Sequence, residues 1–276
     1  NYAPAAPRCI ALVGTAPGLP LAEIAREMVR VAAPLGRRCI ALSAGDVPAE
    51  AGSGGLGSAA VGNWLSQCEE NGALILQAGH EADGWMLRCL LQADLVIVVG
   101  RAWEDPSLSP AERALAGIGD ELTRPGVDLL LLQRELPYRG TALWLGNRRV
   151  RRHFHVRPGV KEDRERMARQ VFGGNLSVAL GGGGARGFAH VGLLRACEEM
   201  NIPVDRIGGT SIGSIVGGLA ALGLTSAEVK ERLRLGFVPS RKLKEWSLPV
   251  ISFDTSRRYQ DALERIYGDV LIEDLP

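Results

Sequence analysis

The residues Arg8-Cys9-Ile10-Ala11-Leu12 recur as Arg38-Cys39-Ile40-Ala41-Leu42. Between the copies Leu21, Ile24, Ala25, Met28 and Val29 fall on one helical face, ending near Pro34-Leu35-Gly36. Two short apolar strands around an amphipathic helix make a βαβ unit, whose strands are expected to be parallel and buried.

The alternation continues. Ala73 to Leu76 reads as a strand, Asp83 to Leu91 as a helix, and Asp94 to Val99 as a strand. A helix from Pro110 to about Gly119 and a strand from Val127 to Leu132 follow. This predicts an α/β fold with a doubly wound parallel sheet in the N-terminal domain. Val150 to Val156 is a basic, β-prone segment, and Lys161 to Val171 is a charged helix suited to linking domains. The expected division is therefore 1–172, with a basic linker segment at 148–172, and 173–276. The second domain reads as strand Leu176–Leu180, a helix through about Met200, strand Arg206–Gly208 and a small-residue helix to Leu222. Helices Ser226–Leu235, capped by Thr225 or Ser226, and Ser256–Tyr267 complete it.

With 276 residues the chain is long enough for two domains. Its 46% apolar and 23% charged residues are those of a soluble globular protein. A net charge of +1 gives no support to nucleic acid as a partner. The five cysteines lack any CxxC pair or histidine at ligand spacing, so they read as reduced thiols in a cytoplasmic protein that binds no metal. Asn1-Tyr2-Ala3-Pro4 is neither an initiator nor a signal peptide, and the chain is expected to begin inside a longer polypeptide. Ile207 to Ala227 is uncharged, with Gly209, Gly213 and Gly217 at the spacing of a membrane helix dimer. Its many Gly, Ser and Thr residues fit a buried helix packed closely on a sheet better than a membrane span.

Two glycine turns carry the chemistry. Gly181-Gly182-Gly183-Gly184-Ala185-Arg186-Gly187 follows an apolar strand, with a helix expected from about Ala185. So many glycines are entropically expensive, roughly 0.5–1 kcal/mol each relative to Ala. They imply positive φ or close approach of backbone to a ligand. Free N–H groups beside a helix N-terminus can hold a phosphate or a developing oxyanion. Gly182, Gly184 and Gly187 also match the dinucleotide pattern GxGxxG, but the acid that pattern wants after the next strand is absent. Asp205 precedes that strand, and Gly208-Gly209-Thr210-Ser211 ends it. A merely structural turn is the remaining alternative.

Ser211 lies between a short strand and a helix, flanked by Gly209 and Gly213, the pattern of a nucleophile elbow. The Ile212 N–H would then face negative charge near the serine oxygen. Together the turns point to acyl transfer. A serine needs a base, yet His80, His153, His155 and His190 all precede Ser211, so a Ser-His-Asp triad fits poorly.

Leu180 to Gly223 resembles a patatin-like phospholipase. Gly182 to Gly187 matches that family's oxyanion motif, and Gly209 to Gly213 its nucleophile elbow. Gly-Gly-Ala-Arg-Gly-Phe-Ala-His and Gly-Gly-Thr-Ser-Ile-Gly are similar to the neuropathy target esterase branch and its bacterial relatives. The segment Arg148 to Gly159 and the α/β domain before it also resemble that branch, so the resemblance spans most of the chain. It implies a serine lipid hydrolase with a Ser-Asp dyad, acting on lysophospholipid or phospholipid without a cofactor. Ser211 would be the nucleophile, and the backbone at Gly182, Gly183 and Gly184 the oxyanion hole, with Arg186 holding the loop. The family's aspartate belongs to a later Asp-Gly-[Gly/Ala] motif. Here the only Asp-Gly is Asp83-Gly84, and Asp254, Asp269 and Asp274 are not followed by glycine. The resemblance thus implies an incomplete catalytic domain, a base beyond Pro276 and an inactive fragment. The competing reading is a regulatory α/β module that binds a nucleotide or a partner.

Gly14-Thr15-Ala16-Pro17-Gly18-Leu19-Pro20 stands where a P-loop would, without the Gly-Lys-[Ser/Thr] ending. Gln77-Ala78-Gly79 supplies no acidic metal ligand, so the domain reads as degenerate and structural or regulatory. Arg148, Arg149, Arg151, Arg152 and Arg157 meet no acid in sequence until Glu162. They read as a solvated face or interdomain contact, with anionic lipid headgroups, and hence peripheral contact with the inner membrane face, as the functional alternative.

Overall fold

The computed structural model describes residues 6–118, 125–237 and 257–275. The sequence expectations at Gly119, Asp254 and Ser256 fall outside them. The chain divides into two compact units, Asn1–Gly174 and Asn175–Pro276.

In the first unit β1 (Cys9–Gly14), β2 (Cys39–Leu42), β3 (Ala73–Gly79), β4 (Leu95–Arg101), β5 (Gly126–Leu132) and β6 (Arg152–Val156) form one sheet. Its order is β2-β3-β1-β4-β5-β6, and every pairing is parallel. Helices α1 (Leu21–Ala32), α2 (Ala49–Gly52), α3 (Ala59–Asn71), α4 (Gly84–Gln92), α5 (Pro110–Ala116), α6 (Thr141–Gly146) and α7 (Lys161–Phe172) connect or follow the strands. Alternate residues of β1 serve opposite faces. Cys9, Ala11 and Val13 join a core with Val61 and Leu65 of α3, Trp85 and Met86 of α4 and Trp144 of α6. Ile10 and Leu12 join Met28 of α1 and Met167, Val171 and Phe172 of α7 on the other face. A strand buried on both sides has no polar position to spare, which is why β1 and β4 are nearly unbroken apolar runs.

The doubly wound sheet is as expected, but the repeated strands are not neighbours. β3 lies between β1 and β2, and β2 is only partly buried at the sheet edge. A crossover fixes direction and hand, not adjacency. Helices α3 and α6 carry no strong sequence pattern. The first is marked by Ser58, whose hydroxyl accepts from the Val61 N–H at 3.4 Å.

The stretch 148–172, expected to be a basic linker, is an integral part of this unit. β6 is the sixth strand, and α7 packs against α1 through buried Met167, Ala168, Val171 and Phe172. Its arginines meet acids distant in sequence. Arg148 pairs with Glu112 at 2.7 Å, both side chains almost fully buried. Arg151 and Arg152 share buried Asp128 at 3.2 and 2.6 Å, and Arg157 grips Asp163 at 2.8 Å. Four of the five arginines are thereby committed within the fold; Arg149 is exposed.

The second unit contains β7 (Ser177–Leu180), α8 (Ala189–Glu199), β8 (Arg206–Gly209), α9 (Ile212–Ala221), α10 (Ser226–Phe237) and α11 (Arg257–Tyr267). β7 and β8 pair in parallel. Thr225 caps α10 reciprocally with Glu228. The uncharged helix α9 buries Ile215, Val216 and Leu219 with Leu180, Val229 and Leu233. Tyr267 of α11 donates to the Ile215 carbonyl at 2.7 Å. Among the described residues no helix is long and apolar enough to cross a membrane.

Candidate active site

β7 and β8 end side by side, so the two turns that leave them must converge. The Thr210 N–H donates to the Leu180 carbonyl at 3.0 Å, fastening the serine turn to the end of β7. A Cβ built on Gly182 would lie 3.3 Å from the Ser211 Cβ. The glycine turn and the serine therefore border one another.

Close packing dictates the small residues of the elbow. A side chain at Gly213 would overlap the carbonyls of Leu180 and Gly181, and one at Gly209 would overlap the Gly213 backbone. Gly187 is filled in the same way by Ile212. With α9 this close to β7 and β8, Ser211 takes φ +52° and ψ −125°. A non-glycine residue held there costs about 1–3 kcal/mol, strain that the surrounding contacts must impose. Ser211 itself is exposed, at the N-terminal end of α9.

The glycine turn does not lead straight into an α-helix as the sequence suggested. A 3-10 segment, Gly184–Phe188, precedes α8, and the Arg186 N–H donates to the Gly183 carbonyl at 3.2 Å. Gly183 and Gly184 have φ +152° and +54°, conformations closed to most L-residues. The N–H groups of Gly182, Gly183 and Ile212 donate to no acceptor among the described residues. Unsatisfied donors beside an exposed hydroxyl are what an oxyanion would meet.

Arg186 was expected to hold this loop, but its side chain is exposed and forms no hydrogen bond or ion pair among the described residues. Its contribution is the backbone turn. The side chain that does tie the loop is His190, whose Nε2 donates to the Gly181 carbonyl at 2.8 Å. That bond points the imidazole at backbone rather than at Ser211. The only available signal was its position one helical turn beyond the glycines. Among the described residues no carboxylate or imidazole hydrogen-bonds the Ser211 hydroxyl.

The corresponding turn of the first unit is braced by a side chain. The Thr15 N–H donates to the Val99 carbonyl at 3.0 Å, and Arg101 at the end of β4 donates to the Gly18 carbonyl at 2.6 Å. Elsewhere in the first unit, side chains around β6 form a polar network. Tyr138 donates to Asp163 at 3.1 Å, and the Thr141 hydroxyl lies 2.9 Å from His155 Nε2. Burial pushes the Asp163 carboxyl up, but hydrogen bonds from Arg157 and the charges of Arg166 and Arg157 outweigh it and hold its pKa below the usual range. Burial likewise raises the Cys9 and Cys89 thiols, leaving them protonated and unreactive. Among the described residues no cluster of His, Cys, Asp or Glu could hold a metal ion.

Comparison with known proteins places both halves of the chain. A family model described as "Patatin-like phospholipase" matches residues 178–269. One described as "Neuropathy Target Esterase family P-loop like domain" matches residues 7–176. The human "Patatin-like phospholipase domain-containing protein 6" is 34% identical over 246 residues, covering 77% of this chain and 18% of its own length. The Drosophila melanogaster "Neuropathy target esterase sws" is 31% identical over 251 residues, covering 77% of this chain and 17% of its own. The chain thus spans less than a fifth of the length of these curated relatives.

Proposed function

Because this chain belongs to the neuropathy target esterase family through residues 7–176, we propose that its second unit contributes the nucleophile and oxyanion hole of a serine lipid hydrolase. The observation that carries the reading is the strained, exposed Ser211 beside a turn with free N–H groups. Strain of this kind persists only where the surrounding structure enforces it, and a purely regulatory module has no use for it.

In the proposed mechanism Ser211 Oγ attacks the acyl carbonyl of a lysophospholipid or phospholipid, and its proton passes to an aspartate of a Ser-Asp dyad. That base lies outside the described residues. The N–H groups of Gly182, Gly183, Gly184 and Ile212 receive the oxyanion, helped by the N-terminal dipole of α9. Collapse expels the alcohol, and water then hydrolyses the acyl-serine, so the cycle needs no cofactor. His190 keeps the Gly181 carbonyl turned away from the hole and is a positioning residue.

The first unit is proposed to be structural or regulatory. Its P-loop-like turn lacks the Gly-Lys-[Ser/Thr] ending and has Arg101 bonded to its Gly18 carbonyl, which supports the degenerate reading. Arginine pairing within the fold removes most of the support for headgroup contact by 148–157.

The test uses the protein lengthened past Pro276 through an Asp-Gly-[Gly/Ala] segment. It should release fatty acid from lysophosphatidylcholine, and Ser211→Ala should lower that rate by about 10³-fold or more. The 276-residue chain alone should turn over negligibly. Hydrolysis unaffected by Ser211→Ala would refute the proposal.

A further inference from the structure

Beyond the carboxyl ends of β4 and β5 lies a cavity of about 330 Å³ in the first unit. Trp103, the segment 133–137, Arg139 and Gly140 line it. In open parallel sheets the carboxyl ends of the strands are where ligands bind, because the loops there are free to vary while the strands hold them rigidly. Nothing in the hydrolase reading uses this place.

Its lining is built rather than incidental. Gln133 is only 5% exposed; its N–H donates to the Val156 carbonyl and its Nε2 to the Arg139 carbonyl, at 2.9 and 3.2 Å. Those bonds fix a buried amide in the cavity wall and set the position of Arg139. Arg134 lies over the Trp103 ring, 4.4 Å from its centroid, an arrangement that orders the guanidinium and leaves its edge free to donate. Neither Arg134 nor Arg139 forms an ion pair or a side-chain hydrogen bond among the described residues. The contrast with Arg148, Arg151, Arg152 and Arg157, each held by an acid, sets these two apart.

Apolar surface completes the cavity. Trp103 and Leu136 are 42% and 44% exposed, unusual for residues of their size, and Pro137 adjoins them. Glu135 brings one negative charge against two arginines, so the wall keeps a positive excess suited to an anion.

We propose that this cavity binds the phosphate group of a phosphoester. Arg134 and Arg139 donate to its oxygens, and the ester's apolar portion rests on Trp103, Leu136 and Pro137. A planar guanidinium recognises phosphate oxygens in pairs, and a stacked one loses little entropy in doing so. The phosphate has two possible sources, a lipid headgroup at a bilayer surface or a free phosphoester.

Tryptophan emission of the 276-residue chain reads the outcome, with Trp103→Phe isolating the signal of that ring. One titration uses glycerol 3-phosphate, and the other uses phosphatidylcholine vesicles containing phosphatidic acid. A saturable response to glycerol 3-phosphate assigns a soluble ligand; a response to vesicles alone assigns a headgroup. In either case the double variant Arg134→Gln, Arg139→Gln should weaken binding about tenfold or more. Both side chains are exposed, so this variant should keep its circular dichroism and melting temperature. Absence of response to both probes, or equal affinity in the double variant, overturns the proposal. Binding is read without turnover, so the result stands apart from the hydrolase reading.

Discussion

Two turns occupy equivalent places in this chain, each between a parallel strand and the helix that follows it, and they differ in what stands beside them. The turn after β1 is braced by a side chain: Thr15 gives its N–H to Val99, and Arg101 holds the Gly18 carbonyl. The turn after β7 is left open, with the Gly182 and Gly183 N–H groups free and a strained serine beside it. A glycine-rich turn after a strand is thus only a permission. Chemistry depends on what stands beside it: a bracing arginine at the first turn, a strained and exposed serine at the second.

The units around the turns differ in the same sense. The first buries charges in matched pairs, whereas the second keeps glycines where any side chain would overlap backbone. Closing the open turn should have the largest effect. Gly184→Val places a branched residue at φ +54° and disturbs the oxyanion donors. Hydrolysis by the lengthened protein should fall by about 10²-fold, measured as kcat/KM on lysophosphatidylcholine.

Breaking a buried pair of the first unit should cost stability instead. Asp163→Asn leaves Arg157 half-buried without its carboxylate and should destabilise the first unit by about 3 kcal/mol in urea unfolding. The Asp163 pKa is held below its ordinary 3.8, so its contribution is complete above that value and is lost as pH falls through the folded pKa. Acid unfolding below about pH 4 should therefore be shallower in Asp163→Asn than in the wild type. An acid limb of unchanged steepness would show that other carboxylates carry it.

Gly213→Ala tests the strained packing. Its methyl group meets the Leu180 carbonyl, and the second unit should lose about 2 kcal/mol as α9 is pushed away. His190→Ala removes one bond to the Gly181 carbonyl and should lower kcat about tenfold with KM nearly unchanged. His190→Gln, which can donate to the same carbonyl, should recover part of that loss. Arg101→Ala should matter least, at about 1 kcal/mol, because it removes a partly exposed bond. Equilibrium dialysis should show no ATP, GTP or NAD at the turn after β1, and tight binding there would erase the contrast.

Much of this organisation is local and so was legible in the sequence. Strand β1 and its copy β2, the helix starts near Asp83 and Pro110, and the serine between Gly209 and Gly213 all announce themselves within a few residues. What escaped depends on distant partners. Arg148 and Arg152 look like a free basic run until Glu112 and Asp128 arrive beside them from other elements. The position of β2 beyond β3 follows from the packing of the whole sheet. Helix α3 needed the glycine-rich stretch before it to be read as a loop approaching α4, where Gly57 and Gly84 touch. The bond from His190 to Gly181 could be seen only once the glycine turn had a shape.

The central claim is that the open turn serves a nucleophilic Ser211. A fluorophosphonate probe followed by peptide mass spectrometry tests it most directly, on the protein lengthened past Pro276. The account predicts one adduct on Ser211, lost in Ser211→Ala and weakened in Gly184→Val. An adduct on another serine, or none while lipid hydrolysis proceeds, would contradict it.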